Sequence, residues 1–366
     1  RADSSARNRS NSDSAAADGG WRIAECGAGI LRALMGARRD DMRARRALCL
    51  LLAGAVAGAA PALAQGQARA KQPLRMLVVL PPGSTSDTVA RVIAERLSDG
   101  VGQPVLVDNK PGASGRIAVE ALRHSAPDGR TLLFAPVAVT VMVPLVFRDP
   151  GFDPVKDLVP VGQVTTFGYA FAVAPGHPAR SLAAFVAWAK AHPAQATFGT
   201  PGAGSVPHFL GTMIAQAARI ELLHVPYKGT AQVEVDVMGG RIAASVSALA
   251  DVLELHRAGR LRILAVSGAQ RSPLLPAVPT FREQGYPAVE AVGWHGVYAP
   301  VGTPQATVDR LSDAFARTVQ APAVREKLLA LGIEPTGTTP EALAQVMAAD
   351  IARWRGIVAA SGFKAE

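Results

Sequence analysis

Two short stretches combine glycine, hydroxyl side chains and the start of an apolar helix pattern, the chemistry of an anion site. The first is Pro81-Pro82-Gly83-Ser84-Thr85-Ser86-Asp87; the second, from Gly199 to Gly211, reads GTPGAGSVPHFLG. A helix start offers unpaired amides and the positive end of the peptide dipole, and a preceding glycine lets an anion approach the backbone. In the first stretch Ser84 and Asp87 stand three apart, as in a capping box, so the same residues also fit a helix cap with no ligand. In the second, Ser205 is placed to cap, and a simple helix N-terminus explains it equally well. This second stretch lacks the Lys-Ser/Thr ending of a P-loop. Pro207 and His208 stand where a dinucleotide fingerprint wants glycine, and Glu221 opens a strand instead of closing one. A nucleotide is therefore a weak reading of this second loop.

Other chemistry is thinner. There is no Gly-x-Ser-x-Gly elbow and no His or carboxylate spacing that points to a metal, so no catalytic residue and no metal ligand is assigned. His208, His224 and His295 are scattered. Lys228, in VPYKG, either faces an anionic ligand or sits solvated at a turn. No nucleophile with a base and an orienting partner is readable. A hydrolase or transferase on a two-domain α/β scaffold stays as the alternative to a binding protein.

The elements that would carry these loops follow an α/β pattern. PLRMLVVLPPG reads as a buried strand ending in a turn, and SDTVARVIAERLSDGVG has helical spacing at Val89, Val92, Ile93 and Leu97. Strand QPVLVDNKPG, helix GRIAVEALRHSAPDG and strand RTLLFAPVA continue it, a parallel arrangement. A second unit follows. YAFAVAPGH is a strand, SLAAFVAWAKAHP a helix capped by Ser181, ATFGT a strand and VPHFLGTMIAQAARI a helix. LLHVPYKG is a strand, TAQVEVDVMGG a helix and RIAASVSAL a strand. RLRILAVSG and VGWHGVYAPVG are further strands, and two amphipathic helices close the chain.

The 366 residues suit two domains. Met42–Arg46 is basic, ALCLLLAGAVAGAA is too short an apolar run to span a bilayer comfortably, and Ala62 and Ala64 have the cleavage-site spacing. Residues 42–64 are thus expected to be a signal peptide cut before Gln65, and 1–41 non-native upstream sequence. Setting aside the ten arginines and six acidic residues of 1–64 lowers the net charge from +9 to +5, which suits a small anion without requiring one. With aromatics at 5% there is little to stack bases, and nucleic acid is not expected. Both cysteines, Cys26 and Cys49, fall within 1–64, which excludes disulfides and thiolate sites from the remainder.

Over nearly all of 72–366 the chain resembles the Bug family of extracytoplasmic solute-binding receptors that serve tripartite tricarboxylate transporters. The blocks that carry the resemblance are PPGSTSDTVAR (81–91), DNKPGASG (108–115), APDGRTLL (126–133), FDPVKDLVPVG (152–162), GAGSVPH (202–208), HVPYKG (224–229) and GGRI (239–242), in that order, with LAVSGAQRSPLLPAVPTFREQGYP (264–287) and GWHGVYAPVGTP (293–304) beyond. The resemblance implies a two-domain, Venus-flytrap periplasmic-binding-protein fold of the α/β class. Domain one would be 72–168 plus 291–366 and domain two 169–290, with the ligand in the cleft between them. It implies a periplasmic, monomeric receptor that is not an enzyme, needs no cofactor, takes a small carboxylate or dicarboxylate, and works with a membrane transporter or a sensor. The implied ligand-binding residues are Gly83, Ser84, Thr85 and Asp87 in the first loop and Ala135, Pro136 and Val137 after the third strand. From the other domain they are Thr200, Gly202, Ala203, Gly204, Ser205, His208 and Tyr227. The chain departs from the family pattern at Leu80, where an aromatic is usual, at Ser84-Thr85 in place of Gly-Gly, and at Ser114 and Ala118 in place of glycine.

Overall fold

The computed structural model describes residues 72–365. The expected signal peptide and the upstream segment lie outside the described residues. In chain order the strands are β1 (Leu74–Val78), β2 (Val105–Asn109), β3 (Thr131–Pro136), β4 (Leu158–Phe167), β5 (Tyr169–Val173), β6 (Thr197–Thr200), β7 (Leu223–Pro226), β8 (Ala244–Ala248), β9 (Arg262–Val266), β10 (Gly293–Pro300) and β11 (Ile333–Pro335). The principal helices are α1 (Thr85–Val101), α2 (Arg116–Arg123), α3 (Leu182–Ala191), α4 (Val206–Ala218), α5 (Thr230–Met238), α6 (Leu249–Arg257), α7 (Gln305–Gln320), α8 (Pro322–Ala330) and α9 (Pro340–Ser361).

The strands form two sheets, each the floor of one lobe. The first has the order β11-β4-β10-β3-β1-β2, the second β7-β6-β8-β5-β9. β1 is parallel to β2 and β3, as the alternating strand–helix pattern requires, whereas β10 runs antiparallel to β3 and β4. In the second sheet β6 is parallel to β7 and β8, and β5 is antiparallel to β8 and β9. Parallel neighbours share an edge at their carboxyl ends, where open α/β sheets bind ligands. Each lobe therefore presents one such edge: the segments after β1, β2 and β3 in the first, those after β6, β7 and β8 in the second.

Local chemistry explains these elements. α1 buries Val89, Ala90, Ile93, Ala94 and Leu97 and ends on Gly102 in the left-handed conformation. β10 is buried along its whole length, as a central strand covered on both faces must be. Trp294 on it donates Nε1–H to Asp350 of α9 at 2.7 Å. The chain passes between lobes at Gly168, between β4 and β5, and again after β9. Buried Ser267 ties the two passages together. The Tyr169 amide donates to its Oγ at 2.9 Å, its own amide donates to the Tyr169 carbonyl at 2.9 Å, and its Oγ donates to the Ala291 carbonyl at 2.6 Å.

Four elements were not expected from sequence: β4, β11, α6 and α8. Pro160 and Gly162 interrupt β4 where a strand pattern would be read, and β11 spans three residues.

Candidate functional site

The first loop is held by its own side chains. Ser84 is the N-cap of α1, and its Oγ accepts the Asp87 amide at 3.3 Å. Asp87 reaches back one residue further than a capping box does, accepting the Gly83 amide at 2.9 Å. Arg91 Nε donates to both its oxygens at 3.0 Å, and Asn109 Nδ2 adds a 2.9 Å bond. Asn109 also donates to the Leu80 carbonyl at 2.9 Å. Burial alone would raise the Asp87 carboxyl, but the hydrogen bonds from Arg91, Gly83 and Asn109 together hold it below the ordinary carboxylate value. Asp87 is thus spent on ordering the loop. The Gly83 and Ser84 amides are bonded within the loop as well. Thr85 and Ser86, in the first turn of α1, have backbone amides without an intrahelical acceptor.

Two hydroxyls of this loop reach away from it. Thr85 Oγ1 donates a short hydrogen bond across to Asp251 Oδ1, and Thr230 Oγ1 donates to Asp251 Oδ2 at 2.9 Å. Asp251 lies in the first turn of α6, just after β8, and Thr230 opens α5, just after β7. The carboxyl-end edges of the two sheets therefore face one another and touch through Thr85 and Asp251. Burial pushes the Asp251 carboxyl up, against the hydroxyls of Thr85 and Thr230. Ser86 Oγ lies 2.9 Å from His295 Nε2, whose Nδ1 is 2.8 Å from Thr165 Oγ1. This chain has the outline of a serine–histidine dyad, but all three residues are buried, and a hydroxyl stands where a carboxylate would orient the imidazole. Burial pulls the His295 pKa down to about 3, leaving it a feeble base at neutral pH. Its geometry suits a buried clamp between α1, β4 and β10.

The second loop is built differently. Ser205 caps α4, accepting the His208 amide at 3.4 Å and donating to the Gly202 carbonyl at 2.7 Å. The Gly204 amide donates to His208 Nδ1 at 3.1 Å, so His208 and the loop's central amide satisfy each other. Thr200 is fully buried; its hydroxyl donates to the Gly202 carbonyl at 3.1 Å and lies 2.7 Å from His224 Nε2. The His208 and His224 rings stack with centroids 3.9 Å apart, and Phe363 meets His208 edge-on. Burial lowers both imidazoles, His224 to about 3 with His208 adding to the effect. Gly204 has φ +73°, and a Cβ there would lie 2.9 Å from Phe363 and 3.2 Å from Val146. This loop packs on the segment after β3 and on the chain's C-terminal end, and no hydrogen bond joins it to the first loop.

The remaining expected residues fall as follows. Ala135, Pro136 and Val137 are buried at the end of β3, with Pro136 opposite His295 of β10. Ala203 is exposed at the tip of the second loop. The Tyr227 hydroxyl donates to Asp236 at 2.7 Å, a carboxylate that Arg241 also holds, and burial together with Asp236 pushes the phenol up to about 12. Lys228 is exposed and forms no ion pair among the described residues. Sequence reasoning missed Asp251, Thr230 and the His295 clamp. Asp251 had a signal: Leu249, Val252 and Leu253 have helical spacing with an acidic residue in the first turn. Among the described residues no group of three His, Cys, Asp or Glu side chains could hold a metal.

The comparisons with known proteins agree with this architecture. The model of the tripartite tricarboxylate transporter family receptor matches residues 89–363. Protein BugT of Bordetella pertussis is 36% identical over 294 residues, which cover 80% of this chain and 90% of that protein. Among solved structures, periplasmic binding protein BugD superposes with a TM-score of 0.73 at 28% identity, covering 80% of this chain and 99% of that one. Rpa4515 of R. palustris with adipate gives 0.76 at 32%, with 80% and 99% covered. MatC from Rhodopseudomonas palustris with bound malate gives 0.71 at 28%, with 79% and 99% covered. Two sheets with facing carboxyl-end edges, a family match over most of the described residues and full-length structural likeness lead to one conclusion: the chain belongs to the tripartite tricarboxylate transporter receptor family and has the two-domain periplasmic-binding-protein fold.

Proposed function

We propose that the protein is a periplasmic receptor that captures a small carboxylate between its lobes and presents it to a membrane transporter or sensor. The observation that carries this reading is the facing pair of edges, with the unbonded first-turn amides of Thr85 and Ser86 on one side. Malate and adipate, seen in relatives of the same fold, are of the class such amides accept. A hydrogen bond to a charged group contributes about 1.5–3 kcal/mol. Four or five of them, from the lobes and ordered water, support affinity near 1 μM, about −8 kcal/mol, once ordering costs are met. Domain one is 72–168 plus 291–366 and domain two 169–290, hinged where Ser267 joins the passages, and the cleft closes on the ligand. The receptor acts as a monomer, without catalysis, cofactor or nucleic acid, after export and cleavage before Gln65.

The test is a thermal-shift and calorimetric screen of the exported protein against mono- and dicarboxylates, with the ligand recovered and identified by NMR. Saturable binding of a carboxylate returned unchanged is expected, since a ligand that binds only the native state raises stability by mass action. Turnover of the ligand, or indifference to every carboxylate, would contradict the reading.

A further inference from the structure

Of the carboxylates near the facing edges, Asp87 and Glu234 are already spent. Asp87 accepts from the Gly83 amide, Arg91 and Asn109. Glu234, a buried residue of α5, accepts Ser245 Oγ at 2.9 Å and Ser247 Oγ at 2.7 Å. Asp251 differs: it reaches the first loop from the opposite lobe, its two partners are the neutral hydroxyls of Thr85 and Thr230, and it forms no ion pair among the described residues. Each of its oxygens keeps a second lone pair.

Thr85 therefore stands between a place for an anion and a carboxylate. Its amide, in the first turn of α1, is placed for an anion, while its hydroxyl touches the Asp251 carboxylate. A ligand whose carboxylate reaches the α1 amides brings the atoms next to that carboxylate close to Asp251. A second carboxylate there would meet like charge in a partly buried place, whereas an ammonium would give Asp251 the cationic partner that no side chain among the described residues supplies.

We propose that Asp251 makes the cleft selective for an α-amino carboxylate, with the ligand ammonium bonded to Asp251 and its carboxylate held by the Thr85 and Ser86 amides. The inference rests on the carboxylate-receptor reading and narrows its substrate class. Burial raises the Asp251 carboxyl, and an adjacent ammonium would restore the charged form.

Matched pairs that differ only by the α-ammonium test it: L-aspartate against succinate, L-glutamate against glutarate, L-alanine against propionate. Each is titrated by calorimetry at neutral pH into the wild-type protein, Asp251→Asn and Asp251→Glu. In at least one pair the amino acid is expected to bind about tenfold or more tightly than its partner, the size of one hydrogen bond to a charged group. Asp251→Asn is expected to bring that pair to within about threefold of parity, chiefly by weakening the amino acid, while Asp251→Glu keeps the preference. Melting curves check that the variants fold; if Asp251→Asn does not, the wild-type ratio still decides. Equal or tighter wild-type binding of the acids without an amine overturns this inference and leaves the carboxylate receptor standing. An amino-acid preference that survives in Asp251→Asn also overturns it. Failure of every compound to bind the wild-type protein overturns both.

Discussion

The two glycine–serine loops look alike in sequence and behave as opposites in the fold. Each places a serine at the N-cap of a helix, Ser84 before α1 and Ser205 before α4. The first is braced from behind by Asp87, Arg91 and Asn109, which leaves its Thr85 hydroxyl for the other lobe and its first-turn amides without an intrahelical acceptor. The second closes on itself. His208 Nδ1 accepts the Gly204 amide, Thr200 and Ser205 donate to the Gly202 carbonyl, and the stacked His208 and His224 rings, with Phe363 edge-on, fill the space around it. A glycine-rich helix start is therefore a binding loop only when its amides are not already used, and the partners of those amides are remote in sequence.

Substitutions at the two glycines sharpen this contrast most. Gly204→Val must tolerate φ +73° and a Cβ 2.9 Å from Phe363 and 3.2 Å from Val146. Left-handed strain of about 1–2 kcal/mol adds to overpacking of about 1–3 kcal/mol, so chemical denaturation should show a loss of about 3 kcal/mol. A change confined to ligand affinity, with unaltered melting, would show that the loop faces an open cleft. Gly83 has φ +82° but nothing within 4 Å of an added Cβ. Gly83→Ala should cost only the strain, about 1 kcal/mol.

Acid should strain both loops, through His224 beside the second and through His295 on Ser86 of the first. His224 has its folded pKa depressed from 6.5 to about 3 by burial and by His208. The unfolded chain therefore binds the proton more readily, and the contribution of the neutral imidazole is intact above pH 6.5 and lost as pH falls toward 3. At about 1.4 kcal/mol per pH unit the loss reaches about 3 kcal/mol near pH 4. The Asp87 contribution, from a carboxyl held below 3.8, is lost only at lower pH. Melting temperature followed from pH 7 to 4 should fall, and His224→Gln should flatten that fall. An unchanged slope in the variant would assign the acid loss to another group.

Smaller effects come from the braces. Asp87→Ala leaves the Gly83 amide and Arg91 Nε without their acceptor and should cost about 2 kcal/mol, with ligand affinity falling as the loop loosens. Asp87→Asn keeps an acceptor and should cost less. Ser84→Ala and Ser205→Ala each remove a cap worth about 1 kcal/mol. Ser205→Ala should be the costlier because its hydroxyl also donates to Gly202. Urea titration of the pair measures the difference, and equal costs would make that extra bond negligible.

Much of the fold was legible because burial leaves a periodic trace. Apolar spacing marked α1, α4 and most of the buried strands. β4 was not, since Pro160 and Gly162 break its run, and only the antiparallel pairing with β10 and β11 makes it a strand. The site was legible in part. Ser84 and Asp87 announced a cap, which the structure contains, but not that Arg91 and Asn109 would occupy Asp87, the latter from β2. Asp251 escaped with its helix. α6 follows directly on β8, without a side-chain cap, so strand and helix read as one apolar stretch. Its contact with Thr85 spans 166 residues, a separation that no local pattern encodes.

The central claim is that a carboxylate is held at the start of α1. A crystal structure of the protein with the tightest carboxylate found by titration decides it. The carboxylate oxygens are expected within hydrogen-bond distance of the Thr85 and Ser86 amides, directly or through one water, with Asp87 still bonded to Gly83 and Arg91. A ligand bound away from α1, or held instead by the Gly204 amide with His208 displaced, would contradict it.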